Sequence, residues 1–221
     1  MNYYPVFIDI EKRNCVVIGG GEVAERKVER LLAGRANVMV VARNLTSYLE
    51  SLVNNGTIHH IQDEYKDIHI KGAFIVIGAT DSDDVHKRIY RETREKGILV
   101  NIVDDPEKCD FIVPSIMQQG DLSIAISTGG KSPALARTVR EELETQYGHE
   151  YKILLDIMGD LRAKVISQGR TSDDNRKLFE SVLRSDILDN IRLKNWDNVR
   201  KIVYDLTGEA IRSEFTEDSE P

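Results

Sequence analysis

Gly19 and Gly21 frame a run of three glycines between an apolar stretch at residues 15–18 and a stretch of helical periodicity at residues 23–33. Gly19 permits a tight turn from strand to helix, and Gly21 lacks a side chain, so that a diphosphate can approach the backbone. The small Ala24 allows the helix to pack closely on a sheet, and a diphosphate would lie at the helix N-terminus, where unpaired N–H groups favour negative charge. The pattern predicts a dinucleotide-binding βαβ unit; its alternative is a tight βα turn without a ligand.

The first two-thirds of the chain alternates between strand-like and helix-like patterns. Short apolar runs favour strands, and a polar amphipathic stretch at residues 84–96 favours a helix. Because the runs are apolar on both faces and separated by helices, the sequence predicts an α/β fold with a Rossmann-like parallel sheet. The predicted strands are residues 15–18, 37–41, 73–77 and 98–103.

The pattern changes after residue 110. Apolar runs at residues 111–113 and 122–126 flank a polar turn at residues 118–121, which predicts a hairpin or an exchanged strand pair. Ser132 as N-cap and Pro133 at the first helical position then predict a helix.

The remainder of the chain is predicted to be helical. Residues 150–208 carry apolar side chains at helical spacing, with a break at residues 169–174. Residues 212–221 are acidic and low in apolar content, which predicts a frayed end. A sheet domain is therefore expected to precede an all-helical one.

The type of dinucleotide depends on the end of the second strand. Dinucleotide-binding folds usually carry an acidic residue about 20 residues after the glycines, but Arg43 stands here instead. Arg43 could bind a 2′-phosphate and so indicate NADP, stack on adenine, or be a solvated loop residue. Thr80 follows the third strand, at the sheet edge where open α/β folds bind ligands, and Asp81 or Ser82 would cap the next helix.

Asp104 follows the fourth predicted strand, so it is expected at the same carboxyl edge, beside any bound nicotinamide. A carboxylate within hydrogen-bond reach of a substrate can accept a proton. The alternative is that Asp104 and Asp105 are turn residues, with Asp105 and Pro106 starting the turn. The residue types alone leave both interpretations open.

Bulk properties narrow the class of protein. The formal net charge of −7 lacks the basic excess of a general nucleic-acid binder. Apolar runs fall short of the roughly 20 residues of a membrane span, and the N-terminus has no signal-peptide pattern. Cys15 and Cys109 are too few for a disulfide framework. We therefore expect a cytoplasmic protein that binds neither nucleic acid nor membranes.

Six segments, in order, give the chain a resemblance to a known family. They are PVFID from Pro5, VIGGGEVAERK from Val17, GATD from Gly78, NIVDD from Asn101, FIVPS from Phe111 and ISTGGKSPALAR from Ile126. Across residues 1–210 the chain closely resembles the precorrin-2 dehydrogenases, which include the N-terminal module of bacterial siroheme synthase.

The resemblance implies a specific organisation and activity. It implies a Rossmann domain at residues 1–113, a dimerisation region at residues 114–146 and a C-terminal helical domain at residues 147–221. It implies a homodimer that uses NAD to oxidise the tetrapyrrole precorrin-2 to sirohydrochlorin, and in some members Fe²⁺ insertion to give siroheme. A non-catalytic dinucleotide-sensing or tetrapyrrole-carrying protein on the same fold is the competing hypothesis.

The resemblance also implies roles for individual residues. Asp104 matches the carboxylate that serves catalysis in the family, although Asp105 could take its role. Thr128 stands where some relatives carry a serine that can be phosphorylated. The resemblance implies cofactor contacts at Glu22, Val23, Arg43 and Asn44. The glycine pattern and the loop after the third strand add Gly19, Gly21, Ala24 and Thr80. The predicted substrate contacts are Asn101, Ser127, Thr128, Gly129, Lys131 and Arg137.

A substrate with many carboxylates needs cations. Lys131, Arg137 and Arg140 lie on or beside the helix that starts at Ser132. Gly129 and Gly130 are expected to leave backbone N–H groups free to form an anion-binding nest. The alternative is a solvated basic face or intersubunit ion pairs.

The histidines show no metal-ligand spacing, so no metal site is predicted. His86 is expected on a surface helix, and His59, His60 and His69 in a polar stretch.

Overall fold

A computed structural model describes residues 3–212, which fall into two compact units. The first unit ends at Val113 and the second begins at Pro114. The frayed end predicted for residues 212–221 lies, beyond Arg212, outside the described residues. The separation of a dimerisation region from a helical domain at residue 146 remains a prediction.

In its described part, the first unit contains a five-stranded, fully parallel sheet in the order β3-β2-β1-β4-β5. The strands are β1 Asn14–Ile18, β2 Asn37–Val41, β3 His59–Ile61, β4 Ile75–Gly78 and β5 Leu99–Ile102. The helices are α1 Glu22–Ala33, α2 Ser47–Asn54 and α3 Asp83–Lys96, and short 3-10 turns lie at Asp67–Ile70 and Pro106–Lys108. The predicted α/β class with a Rossmann-like parallel sheet is confirmed.

The sheet is buried on both faces, because its strand residues alternate between two hydrophobic clusters. In β1, Cys15 and Val17 point into the cluster that includes α1, while Val16 and Ile18 point into the cluster that includes α3. Ala24 is fully buried on α1, which agrees with the close helix packing predicted for a small residue there. Continuous apolar strands are the expected pattern for a parallel sheet covered by helices.

The segment between β2 and β4 contains structure that the sequence pattern does not predict. Strand β3 has only three residues at the edge of the sheet, where His59 pairs with Met39 and Ile61 with Val41. An edge strand this short and polar has no apolar run to reveal it.

His86 lies on the surface helix α3, as expected, but its side chain faces the sheet. Its residue surface is 9% exposed, and its ring lies beside the backbone of Gly78, near Ile89 and Ile102. Position 86 lies on the side of α3 that faces the sheet. The polar residues around it in the sequence do not reveal this orientation.

The second unit begins with an antiparallel hairpin of β6 Ser115–Gln119 and β7 Leu122–Ile126. Its turn is Gly120 and Asp121, shorter than the turn predicted at residues 118–121. The predicted strand at residues 111–113 is wrong, because Asn101 donates its side-chain amide to the Phe111 carbonyl and Pro114 has no N–H for a ladder.

The rest of the second unit is helical, as predicted, but with more interruptions. The helices are α4 Pro133–Gln146, α5 His149–Ser167, α6 Ser172–Arg184, α7 Ile187–Arg192 and α8 Trp196–Thr207. Ser132 caps α4 by accepting a hydrogen bond from the Leu135 N–H at 3.2 Å, with Pro133 at the first position, as predicted. Fully buried Ile157 and Leu161 of α5 form one core with residues of α6, α7 and α8.

Candidate functional site

The turn after β1 requires glycines at its first two positions. A Cβ on Gly19 would lie 2.0 Å from the carbonyl oxygen of Ala79, and its φ of +127° lies in a region that L-residues rarely adopt. A Cβ on Gly20 would lie 2.1 Å from the carbonyl oxygen of Asn44. The turn is therefore wedged between the loops that follow β4 and β2. The sequence pattern predicted the requirement at Gly19 but not at Gly20.

Gly21 has a different role. None of the described atoms lies within 4 Å of a Cβ built there, so the space beside it is open. Gly21 is the N-cap of α1 and has no side chain to cap the helix. The first-turn N–H groups of Glu22, Val23 and Ala24 have no intrahelical partner in an α-helix. An uncapped helix start beside open space fits the diphosphate of a dinucleotide.

The loop after β4 packs directly on the glycine turn. The Ala79 N–H donates to the Ile18 carbonyl at 2.8 Å, which places half-buried Thr80 beside Gly19. Ser82, rather than Asp81, is the N-cap of α3. The two candidate cofactor loops thus form one continuous surface.

Asp104 lies in the loop after β5, and its side chain faces outward. Its residue is exposed and its φ is +61°, a left-handed conformation that aspartate tolerates better than most residues. Within residues 3–212, no hydrogen bond or ion pair engages its carboxylate. A polar residue held in this backbone region at a sheet edge is a functional candidate.

Asp105 has a structural partner instead. Its carboxylate forms an ion pair and hydrogen bond with Lys108, which lowers the pKa of Asp105 below its ordinary value. It also stands as the N-cap of the 3-10 turn that begins with Pro106, as the turn interpretation expected. The contacts therefore favour Asp104 as the carboxylate available to a substrate.

Side-chain hydrogen bonds of Cys109 and Asn101 stabilise the backbone around the Asp104 loop. The Cys109 thiol accepts from the Ile102 N–H at 3.2 Å and donates towards the Asp105 carbonyl at 3.2 Å. Burial raises the pKa of this thiol, so it stays protonated. The Asn101 amide donates to the Phe111 carbonyl at 2.9 Å, and Asn101 is only 8% exposed. Asn101, which the sequence analysis predicted as a substrate contact, therefore makes a structural hydrogen bond to the backbone.

Lys27 is a cation near Asp104 that sequence reasoning missed. It lies half-buried on α1, on the flank of the face that buries Ala24 and Val28. Burial, followed by the charge of Arg30, lowers the pKa of Lys27, whereas the charge of Asp104 acts in the opposite direction. A lysine three residues after the small residue of the glycine pattern was the signal that could have identified it.

Arg43 forms an ion pair with Glu64, a residue that no sequence pattern singled out. The Gln62 amide donates to the Arg43 carbonyl at 3.2 Å, and the Ala42 N–H donates to the Ile61 carbonyl at 3.2 Å. The chain after β3 therefore runs beside the chain after β2. None of the three interpretations of Arg43 included a carboxylate partner.

In the second unit, the loop before α4 satisfies its own polar groups. The Gly129 N–H donates to the Ser127 hydroxyl at 3.1 Å, and the Thr128 hydroxyl accepts from the Ser132 N–H at 3.1 Å. The expectation that Gly129 leaves its N–H free for an anion is wrong, because Ser127 occupies it. Lys131 is exposed beside this loop.

The arginines of α4 form ion pairs within their own helix. Arg137 binds Glu141 at 2.8 Å, and Arg140 binds Glu144. The Glu141 hydrogen bond raises the pKa of Arg137, which is exposed at the helix surface. Arg137 lies on a solvated face, as one interpretation of the sequence expected, and both arginines pair within their own helix. The intersubunit pairs stay a prediction.

Between residues 3 and 212, no group of three or more His, Cys, Asp or Glu side chains is arranged to hold a metal ion. No helix in that same part of the chain has the length and apolar character to cross a membrane.

Comparison with known proteins gives consistent similarities. Residues 6–115 match a family described as putative NAD(P)-binding, and residues 119–146 match the central domain of sirohaem biosynthesis proteins. The chain is 33% identical over 207 residues to a siroheme synthase of Photobacterium profundum, covering 94% of this chain and 44% of that protein. It is 40% identical over 182 residues to the siroheme synthase of Actinobacillus succinogenes, covering 82% of this chain and 38% of that protein. The chain thus spans less than half the length of these curated relatives.

A solved structure shares the fold along most of the chain. That solved structure is of SirC, precorrin-2 dehydrogenase, to which this chain has a TM-score of 0.77 and a sequence identity of 22%. The similarity covers 94% of this chain and 100% of the SirC chain.

Proposed function

Since the chain belongs to the siroheme synthase family, we propose that it is an enzyme that oxidises precorrin-2 to sirohydrochlorin with NAD. The observation that carries the proposal is the order of three neighbouring strands, β1, β4 and β5. The glycine turn follows β1, the Thr80 loop follows β4 and Asp104 follows β5, so all three reach the same edge of the sheet. A dinucleotide cradle and an accessible carboxylate therefore stand side by side.

The residues at the start of α1 fit a nicotinamide dinucleotide. The N–H groups of Glu22 and Val23 would bind the diphosphate across the open space beside Gly21. Arg43, Asn44 and Thr80 would border the cofactor at the neighbouring loops. When bound, the dinucleotide supplies the acceptor for the hydride that leaves the tetrapyrrole.

Asp104 accepts the proton in this proposal. Oxidation of precorrin-2 removes two electrons and two protons, as one hydride and one proton. The dinucleotide would accept the hydride, and a carboxylate within hydrogen-bond reach would take the proton. Asp104 suits this role because its carboxylate makes no hydrogen bond or ion pair inside the described chain, while the Asp105 carboxylate is held by Lys108. Lys27 adds a positive charge near Asp104, which suits a substrate that carries many carboxylates.

Residues of the second unit would bind the carboxylates of the tetrapyrrole. We propose contacts with Ser127, Thr128 and the exposed cations Lys131 and Arg137. The Arg137 side chain is 76% exposed, so its ion pair with Glu141 contributes little free energy. Replacing Glu141 by a substrate carboxylate as the partner of Arg137 therefore has a small free-energy cost.

We also propose that the chain acts as a cytoplasmic homodimer. The two-stranded β6–β7 sheet has an unpaired outer edge on each strand within the described residues, and Ile116 and Leu135 are large exposed apolar residues. Free Cys15 and Cys109 suit a reducing compartment. Light scattering during size-exclusion chromatography tests the dimer, and a monomer at micromolar concentration would contradict it.

The decisive experiment compares two adjacent aspartates. Purified chain is incubated anaerobically with precorrin-2 and NAD, and the formation of NADH and sirohydrochlorin is followed by absorbance. We expect D104N to lower kcat about 100-fold or more, the loss typical of a missing general base. The matched control D105N is expected to stay within a few-fold of the unaltered chain.

Separate measurements distinguish the possible failures. Binding of NAD by D104N, measured by calorimetry, is expected to equal that of the unaltered chain. Equal activities of D104N and the unaltered chain would reject the role of Asp104. Absence of turnover in the unaltered chain, with NAD bound, would favour the sensing or carrying protein. Incubation with sirohydrochlorin and Fe²⁺ without NAD tests metal insertion, which needs no oxidant.

A further inference from the structure

We propose that Glu64 makes the cofactor site select NAD over NADP. Glu64 supplies, from the end of β3, the carboxylate that dinucleotide-binding folds usually carry at the end of the second strand. It also pairs with Arg43, a residue that would attract a 2′-phosphate. This inference rests on the proposed function, because it assigns the selectivity of the same cofactor site.

The position of Glu64 follows from strand pairing. Strands β2 and β3 run parallel, with Val41 opposite Ile61. The pairing continues past the strand ends, where the Ala42 N–H donates to the Ile61 carbonyl at 3.2 Å. Consequently Glu64 comes alongside Arg43, 21 residues away in sequence, and their side chains form an ion pair.

The Arg43 segment borders the glycine turn. The Thr46 N–H donates to the Gly20 carbonyl at 3.0 Å, and a Cβ on Gly20 would strike the Asn44 carbonyl oxygen. In dinucleotide-binding folds, the residue at the end of the second strand meets the adenosine ribose. The Arg43–Glu64 pair is therefore placed where NAD has a 2′-hydroxyl and NADP has a 2′-phosphate.

The charges around Arg43 are balanced. Asp63 forms an ion pair with Lys66 at 2.5 Å and lies 3.6 Å from the His69 ring. Its hydrogen bond to Lys66 and, more weakly, the charges of Lys66, His69 and Arg43 lower the pKa of its carboxyl group. Glu64 is left to pair with Arg43, and both side chains are more than 60% exposed. A ribose hydroxyl could donate to the Glu64 carboxylate without breaking the ion pair. A 2′-phosphate would have to displace Glu64 from Arg43 and would meet its negative charge.

The effect of one carboxylate can be sized from Coulomb's law. A doubly charged phosphate about 5 Å from a carboxylate in a solvent-exposed site is disfavoured by about tenfold in affinity. Because the site is exposed, the discrimination is expected to shrink as ionic strength rises.

The test measures binding of NAD and NADP to the full chain without a tetrapyrrole, by titration calorimetry at low ionic strength. We expect the unaltered chain to prefer NAD. E64Q keeps the shape of the side chain and is expected to tighten NADP binding about tenfold, with NAD changed by only a few-fold. The matched control E180Q removes an exposed carboxylate that pairs with Arg176 on α6, and is expected to leave both affinities unchanged.

A double variant separates the mechanism from a general charge effect. In R43A/E64Q the gain in NADP affinity should disappear, because the freed guanidinium is what binds the 2′-phosphate. An unchanged NADP-to-NAD ratio in E64Q would overturn the inference, as would a gain that survives in R43A/E64Q. A native preference for NADP would also overturn it. If the unaltered chain bound neither dinucleotide, the proposed function would fail as well, so the two failures are distinguishable.

Discussion

Gly19 and Gly21 stand two residues apart in the same turn, yet the structure predicts opposite consequences for their replacement by alanine. Gly19→Ala should damage the fold, because the added Cβ has no room. Gly21→Ala should spare the fold and damage cofactor binding, because the added Cβ points into open space. The pair of variants therefore separates the structural use of the glycine turn from its ligand-binding use.

The cost of Gly19→Ala can be worked from its surroundings. A φ of +127° places a non-glycine residue in a strained region, at about 1–3 kcal/mol. The new Cβ would lie 2.0 Å from the Ala79 carbonyl oxygen, so the loop after β4 must shift. That shift weakens the 2.8 Å hydrogen bond from Ala79 to Ile18, at about 1 kcal/mol. The sum, about 2–4 kcal/mol, is a large fraction of the stability of a typical domain.

Gly21→Ala has no comparable cost. Gly21 has φ −87° and ψ −175°, an extended conformation that alanine adopts freely. Glycine is a better N-cap than alanine, but alanine lowers the entropy of the unfolded chain, so the net change should stay within about 1 kcal/mol. NAD affinity should fall at least about tenfold, since the methyl group blocks the approach of the diphosphate to the amides.

Hydrogen exchange read by mass spectrometry measures the first effect where it occurs. Peptides that contain β1 and β4 should exchange about 30- to 1,000-fold faster in Gly19→Ala, the equivalent of the predicted free energy. The same peptides should exchange at the native rate in Gly21→Ala, while calorimetry shows its loss of NAD binding. Native exchange in Gly19→Ala, or native NAD affinity in Gly21→Ala, would refute the reasoning. Trp196, the single tryptophan, lies on α8 and reports on the second unit separately.

Three further predictions concern stability and reactivity. Because Lys108 lowers the pKa of Asp105 below 3.8, their pair stabilises the fold above that value and loses its effect as the pH falls through the folded-state pKa. D105N should thus lower the urea midpoint near neutral pH but not in strong acid; a pH-independent difference would contradict this. Burial raises the pKa of Cys15 to about 11 and that of Cys109 in the same direction, so neither thiol should react rapidly with a disulfide reagent until denaturant is added. Leu161→Ala should destabilise the second unit by about 2–5 kcal/mol, read from tryptophan fluorescence, and a loss below about 1 kcal/mol would show that the core closes around the cavity.

The local patterns of the sequence were sufficient for the βαβ core. Strand β1, the glycine turn and α1 are specified by residues close together in the chain, since apolar periodicity and glycine positions record which side of each element is buried. The strand assignments for β2, β4 and β5 rest on the same information. For this reason the fold class and the position of Asp104 after β5 could be predicted.

Elements without a strong pattern could not be predicted. The edge strand β3 is three residues long and contains two histidines, so neither period nor composition reveals it. The start of the hairpin at Ser115 was displaced from the predicted one, because the segment before it is held by the distant Asn101 amide. The burial of His86 likewise depends on what α3 packs against.

The sequence by itself determined which segments form strands and helices and which residues lie at the carboxyl edge of the sheet. Only the tertiary structure decided which charged groups at that edge are available to a ligand. Lys108 forms an ion pair with Asp105 while Asp104 stays exposed, and Glu64 forms an ion pair with Arg43. Periodicity reflects the burial of one element, whereas an ion pair depends on which elements become neighbours. The selectivity proposed for the cofactor site therefore arises from the parallel pairing of β2 with β3, which no local pattern encodes.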